Sequence, residues 1–583
     1  MTDGALTPAE QAAQKALARI YTCIDEGNSF LLEAGAGAGK TYSLIQALRY
    51  LIEKNGADLL RQHQRVACIT YTNVAKDEIE TRTDGHKAIY SSTIHSFCWS
   101  IIKDFQPYLR DELPNIKEWA VKLEEFGGIG TRSIVYDEFG YRSIKETHVS
   151  LHHNDILILT IKLMEHEKFR AILTSRYPVL FIDEYQDSDK YFAEALKTYF
   201  LDTNEGPLIG FFGDHWQKIY RDGCGKIEHK SLEFIGKEAN FRSVPIIVEG
   251  LNQMRPELPQ HVKDPNAVGS VTVCHTNAWV GSRRTGSHWA GDLPAEVAHK
   301  YLEALKEHLA TEGWDFSPNK TKILMLTHNI LAMEQGYSSL DKVFPYKEAF
   351  LKKEDPHIKF FCDTLEPVCV AYENQRFGEM FSLLGGRTPA IRSHADKIPW
   401  VKDMDELLTL RNTETIGAIL DHLKRTKHPR LPDTVERKEQ ELERLVKEPN
   451  TEETSPVKIL RELKAVSYSE IIALARFLDE KTPFATKHGV KGAEFENVLV
   501  VVGRGWNLYN YNQFLEWAGD PDNIPSDKLD AFERNRNLFY VACSRPKKRL
   551  AILFTQELSD KAITTLIAWF GNKAIHSLPI INQ

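Results

Sequence analysis

A chain of 583 residues with 42% hydrophobic and 26% charged content has the composition of a folded protein with roughly two to four cores. Its formal charge of -8 excludes a protein that coats nucleic acid with basic surface, so any DNA or RNA contact must be a local groove. Eight scattered cysteines without a CxxC pair give no zinc knuckle or disulfide framework. The start, MTDGALTPAE, lacks a basic and apolar leader, and no apolar run nears the roughly 18 residues of a bilayer span; a cytoplasmic protein is expected.

In chain order, the first signal is a helix start in LTPAEQAAQ. Thr7 can cap it, with Pro8 at its first position and Glu10 completing a capping box. The stretches SFLLEA, RVACITYT, PVLFIDE and PLIGFFGD follow, then KILMLTH, NVLVVVG and RLAILFT. Each is a short, nearly continuous apolar run succeeded by polar or glycine residues and helical periodicity. Such runs fit buried parallel strands, so the fold class is α/β. They cluster before residue 245 and again after 270. SIVYDEFGYRSI reads as a hairpin around Phe139-Gly140 within a small insertion near residues 100–150. Residues of about 340–475 are helical by pattern and rich in charge. There, Val435, Leu442 and Leu445 form a thin apolar stripe on a charged helix, suited either to a solvated face or to docking a partner or DNA.

LLEAGAGAGKT, Leu31 to Thr41, nearly spells a phosphate-binding loop, with Ala34 where a first glycine is expected. Gly35, Gly37 and Gly39 let backbone N–H groups converge on phosphate oxygens at a helix start, with Ala36 and Ala38 between them. Lys40 would reach the β- and γ-phosphates, and the Thr41 hydroxyl would ligate Mg²⁺; the bland alternative is a glycine-rich turn. PVLFIDEYQD ends a buried strand in two acids, at the sheet edge where open α/β sheets bind ligands. Burying those charges without a cation is costly, so Asp183 is assigned to the Mg²⁺ shell and Glu184 to the attacking water. A solvated acid pair is the alternative.

These two pieces resemble the superfamily 1 DNA helicases of the UvrD/Rep type, whose phosphate loop commonly begins AGAG and whose acidic motif reads DExQD. Further similar stretches come in the family's order: ITYTNVAKDEIETR, STIHSF, GDHWQKIY, NFRS, TKHGVKGAEFENV and NLFYVACSRPKKRL. The resemblance implies two RecA-like P-loop motor domains with parallel sheets. The first spans residues 1–99 and 151–245 around an insertion at 100–150. The second spans 246–339 and 476–583 around a helical insertion at 340–475. It also implies ATP hydrolysis in the cleft. Gln217 would sense the γ-phosphate or its water, and Arg242 and Arg545 would be arginine fingers for the charge that spreads over the γ-phosphoryl oxygens. Phe241 would face adenine, Glu494 the ribose or triphosphate, and Gly492 the γ-phosphate through its backbone. Gln11 would read adenine or merely belong to the helix start.

The resemblance also implies a track for single-stranded or tailed duplex DNA, with aromatic stacking on bases at roughly 1–3 kcal/mol each. Tyr71, Thr72, Asn73, Thr93 and His95 match it in the first domain, Tyr220 at the joint, and Thr486, His488 and Lys491 in the second. The family's aromatic and Arg after Tyr220 are replaced by YRDGCG, where Asp222 cannot stack and repels phosphate. Trp216 either compensates or belongs to the core. Two functions are expected: a 3′→5′ translocase or helicase, or a nucleotide-gated DNA sensor that unwinds little. In size and in its GDHWQKIY stretch the chain is similar to the helicase partner of OLD-family nucleases in Gabija-type anti-phage systems, which supports the second.

Overall fold

A computed structural model describes residues 6–136, 142–203, 205–219, 223–286, 289–326, 335–344, 348–351, 353–385, 393–447, 455–479, 482, 484–485, 493–503 and 509–579. The first helix, Pro8–Glu26, starts as its sequence requires: the Thr7 hydroxyl accepts from the Glu10 amide and the Glu10 carboxylate from the Thr7 amide. Gly27 ends it in the left-handed region at φ 73°.

Strands β1 (Phe30–Ala34), β2 (Val66–Thr70), β3 (Ile89–Thr93), β7 (Val179–Asp183), β8 (Leu208–Gly213) and β9 (Glu233–Lys237) form one six-stranded sheet in the order β3-β2-β7-β8-β1-β9. All its pairings are parallel. β1, β2 and β7 are buried along their whole length because helices cover both faces. Alternate residues accordingly feed two cores. Phe30, Leu32, Cys68 and Phe181 pack with helix Lys40–Arg61, while Leu31, Ile69, Leu180 and Phe211 pack on the opposite side.

β4 (Ser133–Val135), β5 (Ser143–Ile144) and β6 (His148–Ser150) make a small separate sheet. β4 and β5 do not pair with each other; β6 lies between them. β4 pairs with β6 in parallel, and β5 turns back on β6 through Lys145–Thr147, where the Lys145 amide donates to the His148 carbonyl. β5 therefore runs opposite to β4, and Phe139 and Gly140, around which the hairpin was expected, lie outside the described residues.

β10 (Ala239–Asn240) and β11 (His261–Val262) pair beside the first sheet. β12 (Ser270–His275), β13 (Thr321–Met325), β14 (Phe484–Ala485), β15 (Phe495–Val502), β16 (Pro546–Phe554) and β17 (Ile575–Ser577) build the second sheet, again wholly parallel, in the order β14-β13-β15-β16-β12-β17. The molecule thus has two RecA-like α/β lobes. Helices between Ser338 and Leu478 share one apolar core with a face of the second sheet, from Ile323 and Val501 to Leu420 and Leu474. The charged helix Asp433–Lys447 belongs to this packing. Val435 is buried in that core, and Leu442 meets Val457 and Leu460, so these two residues of the stripe face the protein's own helices. Among the described residues no helix is long and apolar enough to cross a membrane.

Candidate active site between the lobes

β1 runs straight into the glycine loop. Gly37 and Gly39 have φ of 76° and 75°, and Gly39 precedes helix Lys40–Arg61 as its cap. A Cβ on Gly35 would lie 2.7 Å from Gln260 Nε2, and one on Gly37 would lie 2.8 Å from Arg242 Cβ. At Gly37, left-handed and crowded, a side chain is excluded, and the backbone at a helix start is left open, an arrangement suited to a polyphosphate. Ala34 is buried in the core with Phe30 and Leu32, where its methyl group is accommodated. The loop is held from the far side: the Asn240 and Gln260 amides donate to the Ala36 carbonyl, and the Phe241 amide donates to Gly37.

β8 lies between β7 and β1, so Asp183, Asp214 and Glu33 come to one carboxyl edge; Asp183 pairs with Phe212 and Glu33 with Gly213. Lys40 Nζ donates to Glu184 Oε2 at 2.9 Å. Burial pushes the Lys40 ammonium's pKa down, but the charges of Glu184, Asp214 and Asp183 outweigh this and raise it, so Lys40 stays a cation. Glu184 has φ 49°, a left-handed position costly for a residue with a side chain, of the kind that clusters at functional sites. Thr41 follows Lys40 in the helix's first turn. Thr41 and Asp183 are the residues suited to Mg²⁺, as hydroxyl and carboxylate oxygens suit a hard cation.

The second lobe closes this edge. Arg545 is 1% exposed, and its hydrogen bonds among the described residues go to neutral oxygens: Val541 O, Ala493 O and, through NH2 at 3.2 Å, Gln217 Oε1. Burial and the neighbouring Arg242 charge bring its pKa down to about 9. With no carboxylate hydrogen-bonded to it among the described residues, this buried guanidinium is suited to an anion. Arg242 donates to Glu494 Oε2 at 3.1 Å and to the Ser544 carbonyl at 3.0 Å. Phe241 and Tyr42 are exposed aromatics near Gly39. Gln11 is exposed and donates to the Leu6 carbonyl.

Tyr71 is an exposed aromatic, while Thr72 and Thr93 cap helices Asn73–Arg82 and Ile94–Ile102, accepting from Ala75 N and Ser96 N. Burial and the nearby His153 and His152 bring the His95 pKa down to about 4, so the ring is neutral at pH 7. A cavity of about 280 Å³ lies between Tyr71 and His95 on one side and Asp183 and Asp187 on the other. Tyr220, Asp222, Thr486, His488, Lys491 and Gly492 lie outside the described residues.

Trp216 is core: it packs with the second lobe's Leu251 and Tyr540, with the Arg536 and Arg255 guanidiniums over its ring at 4.2 Å and 5.2 Å. Two other residues here had gone unnoticed. Lys237, 1% exposed, donates to Gly39 O at 2.9 Å and Ser43 Oγ at 2.7 Å, and burial brings its pKa down to about 8. Glu33 is a buried acid inside an otherwise apolar strand; that contrast was its one visible signal.

A profile of the AAA domain matches residues 18–222, and one of the UvrD-like helicase C-terminal domain matches 403–557. Gabija protein GajB of Bacillus cereus (strain HuB5-5) is 23% identical over 94% of this chain and 96% of its own length. GajB of strain VD045 is 28% identical over 42% of this chain and 51% of its own. ATP-dependent DNA helicase PcrA of Staphylococcus aureus (strain NCTC 8325 / PS 47) is 24% identical over 38% of this chain and 37% of its own. One profile carries the glycine loop and the acidic strand ends, the other the segment that ends in Arg545 and β16; the chain belongs to the UvrD-like helicases of superfamily 1.

Proposed function

We propose that this protein hydrolyses ATP between its two lobes and couples the cycle to movement along single-stranded DNA, in the 3′→5′ direction its family resemblance implies. The observation that carries the proposal is Arg545: a buried guanidinium from the second lobe, bonded to Gln217 of the first and facing the charges of Glu184 and Asp214. The glycine loop and Lys40 would hold the phosphates, and Thr41 and Asp183 the Mg²⁺, which screens phosphate charge when bound. Glu184 would orient water, and Gln217, Arg242 and Arg545 would stabilise charge that develops on the γ-phosphoryl oxygens. Gln11, Phe241, Glu494 and Gly492 are assigned to the nucleoside and phosphate side. Tyr71, Thr72, Asn73, Thr93, His95, Tyr220, Thr486, His488 and Lys491 are assigned to the strand. The test is ATP turnover with and without single-stranded DNA, followed by unwinding of duplexes tailed at either end. No turnover in either condition overturns the proposal.

A second reading is a nucleotide-gated DNA-sensing subunit of a defence complex, working with an OLD-family nuclease. It is favoured by similarity to a Gabija protein along nearly the whole chain and by the burial of Trp216, which removes that ring from the bases. Turnover stimulated by DNA without strand separation supports it over the helicase.

A further inference from the structure

Beneath the cleft lies a group of buried charges to which the nucleotide reading gives no task. Glu33 is on β1, Asp214 follows β8, and Arg255 follows helix Pro245–Met254, whose apolar side belongs to the second lobe's core. All three are almost wholly buried. The Arg255 guanidinium spans the two acids: NH1 donates to Asp214 Oδ1 at 2.6 Å and NH2 to Glu33 Oε1 at 2.8 Å. Glu33 is further held by the Tyr185 hydroxyl at 2.5 Å and by His215 Nδ1 at 2.6 Å. Although burial pushes the Glu33 pKa up, His215, Arg255 and Tyr185 together hold it down at about 2, so this acid is ionised at neutral pH. Glu33, Asp214 and His215 are close enough to share a cation, and the guanidinium already lies between the two acids.

Buried ion groups are weak devices for stability, since apolar residues of similar volume serve as well. What this one does is fix geometry. Asp214 Oδ1 takes Arg255 and the Trp216 amide, which leaves Oδ2 to accept from Gln217 Nε2 at 2.7 Å. An amide tied through its nitrogen must present its oxygen, and Gln217 Oε1 is the atom that meets Arg545 NH2. With Asp214 free to turn, the amide could flip and aim N–H groups at a guanidinium.

We propose that Arg255 is a positioning residue for ATP hydrolysis: by clamping Asp214 from the second lobe, it sets the Gln217 amide with its oxygen toward Arg545. This rests on the roles given above to Gln217 and Arg545. Arg255 itself is placed against neither nucleotide nor DNA. Because the acids belong to the first lobe and Arg255 to the second, the amide is set only while the lobes keep this spacing. The water-activating side of the site is thereby tied to lobe contact.

The experiment is a double-mutant cycle on the full chain with saturating single-stranded DNA, reading kcat and KM for ATP together with thermal denaturation. Arg255→Gln is expected to lower kcat at least tenfold with KM changed less than threefold. In a Gln217→Ala background the same substitution is expected to lower kcat no further. Arg255→Lys keeps the buried charge but cannot span both acids; it is expected to fold and to give intermediate turnover. If Arg255→Gln does not fold, the cycle is completed with Arg255→Lys, which must again lose its effect in the Gln217→Ala background. Equal loss of kcat in both backgrounds, or unchanged kcat in a folded Arg255 variant, overturns the inference and leaves the parent reading intact. Wild-type turnover by Gln217→Ala overturns the inference together with the role given to Gln217, while absence of turnover by the wild type overturns the parent reading.

Discussion

Lys40, Arg545 and Lys237 are three cations in three electrical settings, and each setting makes a different demand. Lys40 has Glu184 as partner, so in the absence of anion its charge is already balanced. Lys40→Ala is expected to abolish ATP turnover while leaving the fold intact by circular dichroism; turnover at the wild-type rate removes the site. Among the described residues Arg545 hydrogen-bonds to neutral oxygens, which leaves its charge for the proposed anion in the cleft. Arg545→Ala is expected to lower kcat by about 10³-fold, the low end for arginine fingers, with a much smaller change in nucleotide affinity. Equal loss in both contradicts a role confined to the transition state. Lys237 has no carboxylate at its ammonium among the described residues, and burial holds its pKa near 8. The unfolded chain, with an ordinary lysine pKa of about 10.4, holds more protons between those values, so stability rises with pH across that window. Relative to Lys237→Met, the wild type is expected to gain about 2 kcal/mol between pH 7.5 and 10 in denaturant unfolding. A pH-independent difference refutes the buried charge.

At the scale of elements, the ends of β2 and β3 each deliver a threonine that caps the next helix. These are the same threonines assigned to the DNA track, so loss of a hydroxyl confounds two effects. Thr93→Ala is expected to cost about 1 kcal/mol of stability as a lost cap and to weaken DNA binding. Thr93→Asp retains a capping oxygen and sets a negative charge against the strand, so stability is kept while DNA affinity falls. Unchanged affinity for Thr93→Asp, measured by fluorescence anisotropy, moves the strand elsewhere. The short segment Asp214–Lys218 shows a similar doubling. Gln217 is assigned to the cleft, while Trp216, Arg536 and the Asn537 amide, which donates to His215 O and Lys218 O, pin the segment to helix Leu529–Cys543. That pinning explains why an aromatic beside a nucleotide motif is structural here.

For the whole molecule, two sheets face each other across a cleft bridged by Arg545–Gln217 and by Arg255 with its two acids. Nucleotide binding is expected to draw the lobes together, seen as a smaller radius of gyration in solution scattering with a non-hydrolysable ATP analogue. No change with nucleotide contradicts a motor driven by closure.

Much of this was legible in one dimension. The glycine loop, the acidic strand end, the apolar runs and the Thr7 capping box are local patterns, set by contacts between residues a few positions apart. They determined the α/β class, the glycine loop at the start of a helix and the strand that carries Asp183. Three features escaped that kind of inference. That β4 and β5 both pair with β6 rather than with each other was not visible, because a third strand later in the chain inserts between them. Trp216 became core because a helix more than three hundred residues later packs on it. Arg255 carries no motif at all; its contacts are with two acids that lie 222 and 41 residues earlier in the chain. Charge networks and lobe contacts are sums over distant segments, and burial, which makes each such charge expensive or decisive, exists only once the chain has closed on itself.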